Sequence, residues 1–366
     1  MLKKFIALIL ISLLFFSCSK KNSEDNPQKG IKQSKVKYSF EPTGLVSVYS
    51  EENSGFYKNQ IYYLQYKGDT FGLKFTDYKG NIKKEIEFTR GNGPGQLKFI
   101  RSIKINNNRI YIYDSGVNTI NIYDMNGNFI EEYQINDTIG SPWFIDVDDK
   151  YAYYTGLRKY RLGKIDLKTG SLNNSVKYAE IDMEFNENDM IKAGVIKVND
   201  NNNMLYDIRY NSSEIKIYNK DLKLIDQIKF NFKKAYEPYH VIKLPDGDSW
   251  FMGDMKFTSI SFDKNYIYLP FGGGYGLNRK ELLWKGKTHP FRIFVFDINT
   301  GKYLYKIENK KIKKITGTVF IHGVTNQNII LYVEESGSLV KRLDPNREKR
   351  SIQNISIVVL NNPPYN

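Results

Sequence analysis

The feature that most constrains this chain is a strand pattern that returns six times. In each copy a polar turn rich in Asn, Asp or Gly leads into an alternating run of β-branched and aromatic residues. A short gap follows, then a second run ending near Asp or Asn, a tight turn and, in most copies, a third run. The second copy shows it best, as NNNRIYIYD (106–114), NTINIYD (118–124) and MNGNFIEEYQI (125–135). Copies start at residues 58, 106, 148, 201, 263 and 326, so the spacings are 48, 42, 53, 62 and 63 residues. Period-two alternation marks strands, and no stretch sustains the 3.6-residue apolar period of a helix. A further strand precedes each turn, at 45–50, 100–105, 143–147, 193–198, 258–262 and 319–324. Several strands repeated every ~40–50 residues define the blade of a propeller, with insertions accounting for longer spacings. The expected fold is all-β, a six-bladed β-propeller of four-stranded antiparallel blades over residues 37–366.

Turn chemistry supports the strand order. The connections between the third and fourth strands read DYKGN, DMNGN, DLKTG, NKDLK and DINTG. Asp or Asn opens such a turn by bonding its own backbone, and Gly supplies positive φ. Asp77, Asp124, Asp166 and Asp297 are therefore turn formers, not a catalytic or metal-binding set. A propeller must also join its first and last blades or leave an open edge. In the last copy the third run is read at 338–344, followed by ISIVVL (355–360), while KVKYSF (35–40) precedes the first blade. One of the last two segments is expected to complete the sixth blade as its outer strand, and both to pair there or nearby.

The amino-terminal residues read as an address. Lys3 and Lys4 precede an apolar run, Phe5 to Phe16, broken only by Ser12. That is shorter than the ~20 residues a membrane-spanning helix needs and has the length of a signal-peptide core. It ends at Phe15-Phe16-Ser17-Cys18, which resembles the lipobox of bacterial lipoproteins. The resemblance implies removal of residues 1–17 and acylation of Cys18, hence anchoring in outer-membrane lipid. Residues 18–36 are polar and read as a lipidated cysteine and flexible tether. Lys20-Lys21 followed by Glu24-Asp25 loosely resembles an export signal for the cell surface, which leaves periplasmic and surface orientations both open. Cys18 is the one cysteine, so a disulfide framework is excluded. The net charge of +14 is spread through strands and turns with no recognition helix, so it reads as a solvated surface and not a nucleic-acid site.

The segment FTRGNGPGQLKFIRSIKI (88–105), followed by IYIYD and INIYD, resembles the NHL-type and TolB-like six-bladed propeller lipoproteins of Bacteroidetes. Its specific element is Gly91, Gly93, Pro94 and Gly95 ahead of an inner strand. The resemblance implies a fold and a cell-envelope location, not an activity. The GNGPG loop lacks the Lys-Ser/Thr of a phosphate loop and no helix follows it, so it reads as a blade-to-blade turn.

Loop length points to a face. With antiparallel strands labelled a to d from the axis outward, d–a and b–c connections share one face and a–b and c–d connections the other. The long connections, 89–99, 177–192, 231–257 and 272–290, are all of the first kind. Long loops on a rigid scaffold usually carry function. The two longest hold Tyr236, Glu237, Tyr239, Asp248 and Trp250, and Tyr275, Arg279 and Trp284. Rings beside carboxylates and Arg suit a glycan, peptide or envelope protein, because rings stack and polar groups orient. No cofactor motif, G-x-S-x-G or H-E-x-x-H is present. His240, His289 and His322 have no metal-ligand spacing, and no metal is expected. His322 is expected to be a core histidine, with the channel as its other location. The reading is a lipid-anchored binding propeller rather than an enzyme. A metal-dependent lactonase- or lyase-like propeller, or a scaffold subunit of an envelope complex, are the alternatives.

Overall fold

A computed structural model describes residues 31–42, 52–135, 142–156, 160–177, 194–209, 214–229, 240–243, 249–252, 259–271, 277–278, 283–284, 292–309, 317–335 and 355–363. Two strands, β1 (Ile31–Gln33) and β2 (Val36–Phe40), precede the first blade. The first blade is β3 (Ser54–Tyr57), β4 (Gln60–Lys67), β5 (Thr70–Thr76) and β6 (Ile82–Thr89). The second is β7 (Ile100–Asn106), β8 (Arg109–Asp114), β9 (Thr119–Asp124) and β10 (Phe129–Gln134). The third is β11 (Pro142–Val147), β12 (Tyr151–Gly156), β13 (Tyr160–Asp166) and β14 (Leu172–Lys177). The fourth is β15 (Gly194–Asn199), β16 (Met204–Arg209), β17 (Glu214–Asn219) and β18 (Leu224–Lys229). A hairpin, β19 (His240–Lys243) with β20 (Ser249–Met252), separates it from the fifth. The fifth blade opens with β21 (Ser261–Phe262) and β22 (Tyr266–Phe271). A second hairpin, β23 (Leu277–Asn278) with β24 (Leu283–Trp284), intervenes before β25 (Arg292–Asp297) and β26 (Tyr303–Glu308). The sixth is β27 (Gly317–Val324), β28 (Asn328–Glu335) and β29 (Ile355–Asn361), completed by β2. The chain is thus an all-β propeller with six blades of four antiparallel strands.

Closure uses both termini. β29 is the third strand of the last blade, antiparallel to β28, and β2 is its outer strand, antiparallel to β29. The third strand is therefore 355–361 and not 338–344, which lies outside the described residues. Both segments carry apolar residues, and pairing to β28 distinguishes 355–361. β1, inside the stretch read as a tether, runs parallel to β26 and adds a fifth strand to the fifth blade. Its backbone completes an otherwise open edge, which few apolar residues are needed to do. The amino-terminal segment therefore bridges blades five and six.

The inner strand of the first blade is β3, not the run at 45–50, which lies outside the described residues. Gly55 hides this strand from propensity, since Gly is poor in strands. It is there for space: a Cβ at Gly55 would stand 2.4 Å from the Tyr62 hydroxyl.

The core is distributed as a ring of clusters between blades. Leu64, Phe75 and Ile86 of the first blade pack with Ile103 and Ile110 of the second. Ile208 and Ile215 of the fourth meet Ile267 and Leu269 of the fifth. Ile61 and Tyr63 of the first meet Ile330 and Tyr332 of the sixth, which closes the ring. Each fully buried side chain of this size contributes ~1.5–3 kcal/mol.

The c–d turns form as their composition dictates. Asp77 Oδ1 accepts from the Lys79 and Asn81 amides at 2.9 and 3.0 Å. Asp124 repeats this with Asn126 and Asn128 at 2.7 and 2.9 Å. Asp297 bonds Asn299 and Thr300 at 3.0 and 2.8 Å. Gly80, Gly127, Gly170 and Gly301 take the positive φ these turns require. In the fourth blade the same place is held by Leu222 at φ 61°.

Candidate functional site: the axial channel and the long-connection face

The inner strands run side by side around the axis and line a partly open cavity of about 170 Å3. Gly55, Lys104, Ile145, Lys197 and His322 each stand two residues before the last residue of their inner strand, Ile260 stands immediately ahead of β21, and all six line that cavity. Basic side chains thus project from the second, fourth and sixth blades at one level, alternating with small or apolar residues from the others. That level lies toward the a–b end of each strand, away from the long connections.

Blades are tied to their predecessors at this depth. The Ile103 amide donates to the Glu52 carbonyl at 2.9 Å, and the Ile321 amide to Ser259 Oγ at 2.7 Å. The Val198 amide donates to Asp146 Oδ2 at 2.9 Å. Asp146 is fully buried and is the electrostatic hub. Its Oδ1 accepts from Lys104 Nζ at 2.7 Å and from the Val147 amide at 3.0 Å. Burial pushes the Lys104 ammonium down, but Asp146, Tyr62 and Asp200 together outweigh it, and its pKa lies above the usual lysine value. A second buried pair joins Arg101 and Glu52 at 3.3 Å.

Lys197 is different. Among the described residues no carboxylate lies within ion-pair distance of its ammonium. Burial, followed by the charge of Lys104, pushes its pKa down to about 8. His322 also lines the cavity, so it is a channel residue and not the core histidine expected. Its Nε2 lies 3.4 Å from Ser54 Oγ and its ring packs edge-on to Tyr332 at 5.2 Å. Burial, and then the charge of Lys197, holds it down to about 3, so the ring is neutral near pH 7.

Of the residues expected from sequence to bind ligand, Tyr236, Glu237, Tyr239, Asp248, Tyr275 and Arg279 lie outside the described residues, as does Cys18. Trp250 is placed in β20, opposite Ile242, and Trp284 in β24, opposite Leu277. The two hairpins belong to no blade, and one leads into the fifth blade while the other joins its second and third strands. Sequence reasoning missed Lys104 and Lys197. The signal was present, because each is a lysine flanked on both sides by apolar residues of an inner strand, Ile103 and Ile105 in one and Ile196 and Val198 in the other. Among the described residues no group of three or more His, Cys, Asp and Glu is placed to hold a metal ion.

Six closed four-stranded blades around a polar channel define a six-bladed β-propeller. The match of residues 56–269 to the DUF5128 family, described as a 6-bladed beta-propeller, spans more than half of the chain, and the chain belongs to that family. In structure it is similar to a member of the DUF4221 family from Bacteroides vulgatus. The TM-score is 0.57 and the identity 13%, over 89% of this chain and 97% of that one. It is also similar to a Bacteroides fragilis protein described as exported, with TM-score 0.53 and 12% identity, over 89% and 94% of the two chains. At such identities the likeness is one of fold. No curated protein matches the sequence.

Proposed function

We propose that this chain is an exported, lipid-anchored envelope propeller that binds a glycan, peptide or protein on its long-connection face. The observation that carries the reading is the pair of hairpins outside the blades. β19–β20 lies in a d–a connection and β23–β24 in a b–c connection, so antiparallel geometry sends both to the same face, beside the fifth blade. Insertions confined to one face of a rigid scaffold are the usual carriers of recognition. Tyr239, Trp250, Tyr275 and Trp284 supply the apolar wall, with Glu237, Asp248 and Arg279 orienting the ligand and Tyr236 adding a further ring. The leader ending in Cys18 and the likeness to a protein described as exported support the envelope location.

The test is Trp284→Ala and Tyr239→Ala, each measured for melting and for binding to panels of envelope glycans, peptides and proteins. A ring that contacts ligand costs ~1–2 kcal/mol of binding, roughly tenfold in affinity, with melting unchanged. Loss of stability at both positions with binding intact makes the insertions structural lids and removes the ligand from this face.

A further inference from the structure

A separate feature lies on the axis, outside the long-connection face. The charges at the cavity come in two closed pairs and one remainder. Lys104 is neutralised by Asp146, and Glu52 by Arg101. Asp146 makes no ion pair with Lys197 and acts on it only through its charge at longer range. Its Oδ1 is taken by Lys104 and the Val147 amide, and its Oδ2 by the Val198 amide. Lys197 is therefore left without an ion-pair partner among the described residues and brings a net positive charge to a partly open polar space. Withdrawing a charge even partly from water is costly unless a partner restores it, and among the described residues Asp146 and Glu52 act on Lys197 only at longer range.

The partner that fits carries one negative charge. A dianion would leave the cavity as far from neutrality as Lys197 does now, with the sign reversed. The volume of about 170 Å3 exceeds the roughly 150 Å3 of a cavity known to hold benzene, so it has room for a solute of about six to ten heavy atoms. Ser102 and the neutral ring of His322 line the same space and suit hydroxyl and carbonyl groups.

We propose that the axial cavity binds a small polar carboxylate, its monoanionic head against Lys197 and its body against Ser102 and His322. Lys104 remains in its pair with Asp146 and raises the local potential without being the primary contact. The site is distinct from the long-connection face and does not depend on it.

The pH dependence follows from the groups around Lys197. His322 stays neutral down to about pH 3. Lys104 stays charged beyond the ordinary lysine range. Arg101 and Glu52 are held together as an ion pair, and Asp146 is engaged by Lys104. The Tyr62 phenol, also lining the cavity, is pushed up to about 12. The carboxyl of Asp200, at the a–b end, is raised above its ordinary value by burial and then Asp146. Lys197 is the group that loses its proton near pH 8, so carboxylate affinity falls as pH rises through that value.

Titration calorimetry of the purified protein tests this with lactate as probe, lactamide as its neutral counterpart and sulfate as a dianion. Lactate is expected to bind and lactamide not. Lys197→Met is expected to weaken lactate by at least about tenfold, while Lys197→Arg keeps it within roughly threefold. Lactate no tighter than lactamide, sulfate as tight as lactate, or Lys197→Met binding like the natural protein each overturns the proposal. Should Lys197→Met fail to fold, the natural protein decides alone, since a lactate affinity unchanged between about pH 6 and about pH 9 overturns it as well. These outcomes are independent of Trp284 and Tyr239, so failure here leaves the long-connection face standing, and the reverse.

Discussion

Gly80, in the c–d turn of the first blade, lies directly against Phe40, in the outer strand of the last: a Cβ at Gly80 would stand 2.6 Å from Phe40 Cγ. The contact belongs to a series. Gly127 meets Ile86, Gly170 meets the Gln134 carbonyl and Gly301 meets Ile228, each touching the outer strand of the preceding blade. Phe40 is the member of the series that comes from the other end of the chain, and so it marks closure. Phe40→Ala removes a half-buried ring from the cluster between the first and last blades and is expected to cost ~2 kcal/mol in urea unfolding. A cost under about 0.5 kcal/mol would mean that the outer strand is dispensable to the ring.

Leu222 offers a contrast within the same turn. Its φ of 61° is strained for an L residue, by ~1–2 kcal/mol, yet its side chain is buried with Tyr153, Leu205 and Tyr218. Leu222→Ala loses the packing and keeps the strain, whereas Leu222→Gly loses the packing and releases it. The glycine variant is therefore expected to be the more stable of the two by ~1 kcal/mol, the reverse of the order in an ordinary helix or strand. Equal melting temperatures would contradict this.

Stability should follow pH in two windows set by the channel. His322 falls from 6.5 unfolded to about 3 folded, so between these values the unfolded chain binds more protons and stability drops as pH falls. Lys197 falls from 10.5 to about 8, so stability rises as pH climbs from about 8 toward 10.5. Denaturation midpoints measured across pH should show the acid slope flattened in His322→Gln and the alkaline slope flattened in Lys197→Met. Slopes identical to those of the natural protein in both variants would place the titrating groups elsewhere.

The anchor is decided by mass. Protein extracted from membranes is expected to begin at Cys18 and to carry acyl chains, and Cys18→Ala to leave the outer-membrane fraction. Intact mass spectrometry reads both, and an unmodified Cys18 thiol removes the lipid anchor from the proposed function.

Blade strands were written in the sequence because their determinants are local. The β-branched and aromatic runs RIYIYD and RIFVFD favour strand and are buried on both faces, and Asp77 or Asp124 folds its own turn through bonds to amides two and four residues on. What surrounds the axis was decided by tertiary structure. Lys104, Lys197 and His322 lie far apart in the chain and share a level only once the blades close into a ring. The pairing of Asp146 with Lys104 and not Lys197 depends on how neighbouring inner strands meet. The same holds for the choice of β29 over residues 338–344, for β3 with its Gly55, and for the parallel docking of β1 on β26. In each case the sequence offers a segment competent to pair, and the partner is selected by a free edge or a space that exists only in the assembled ring.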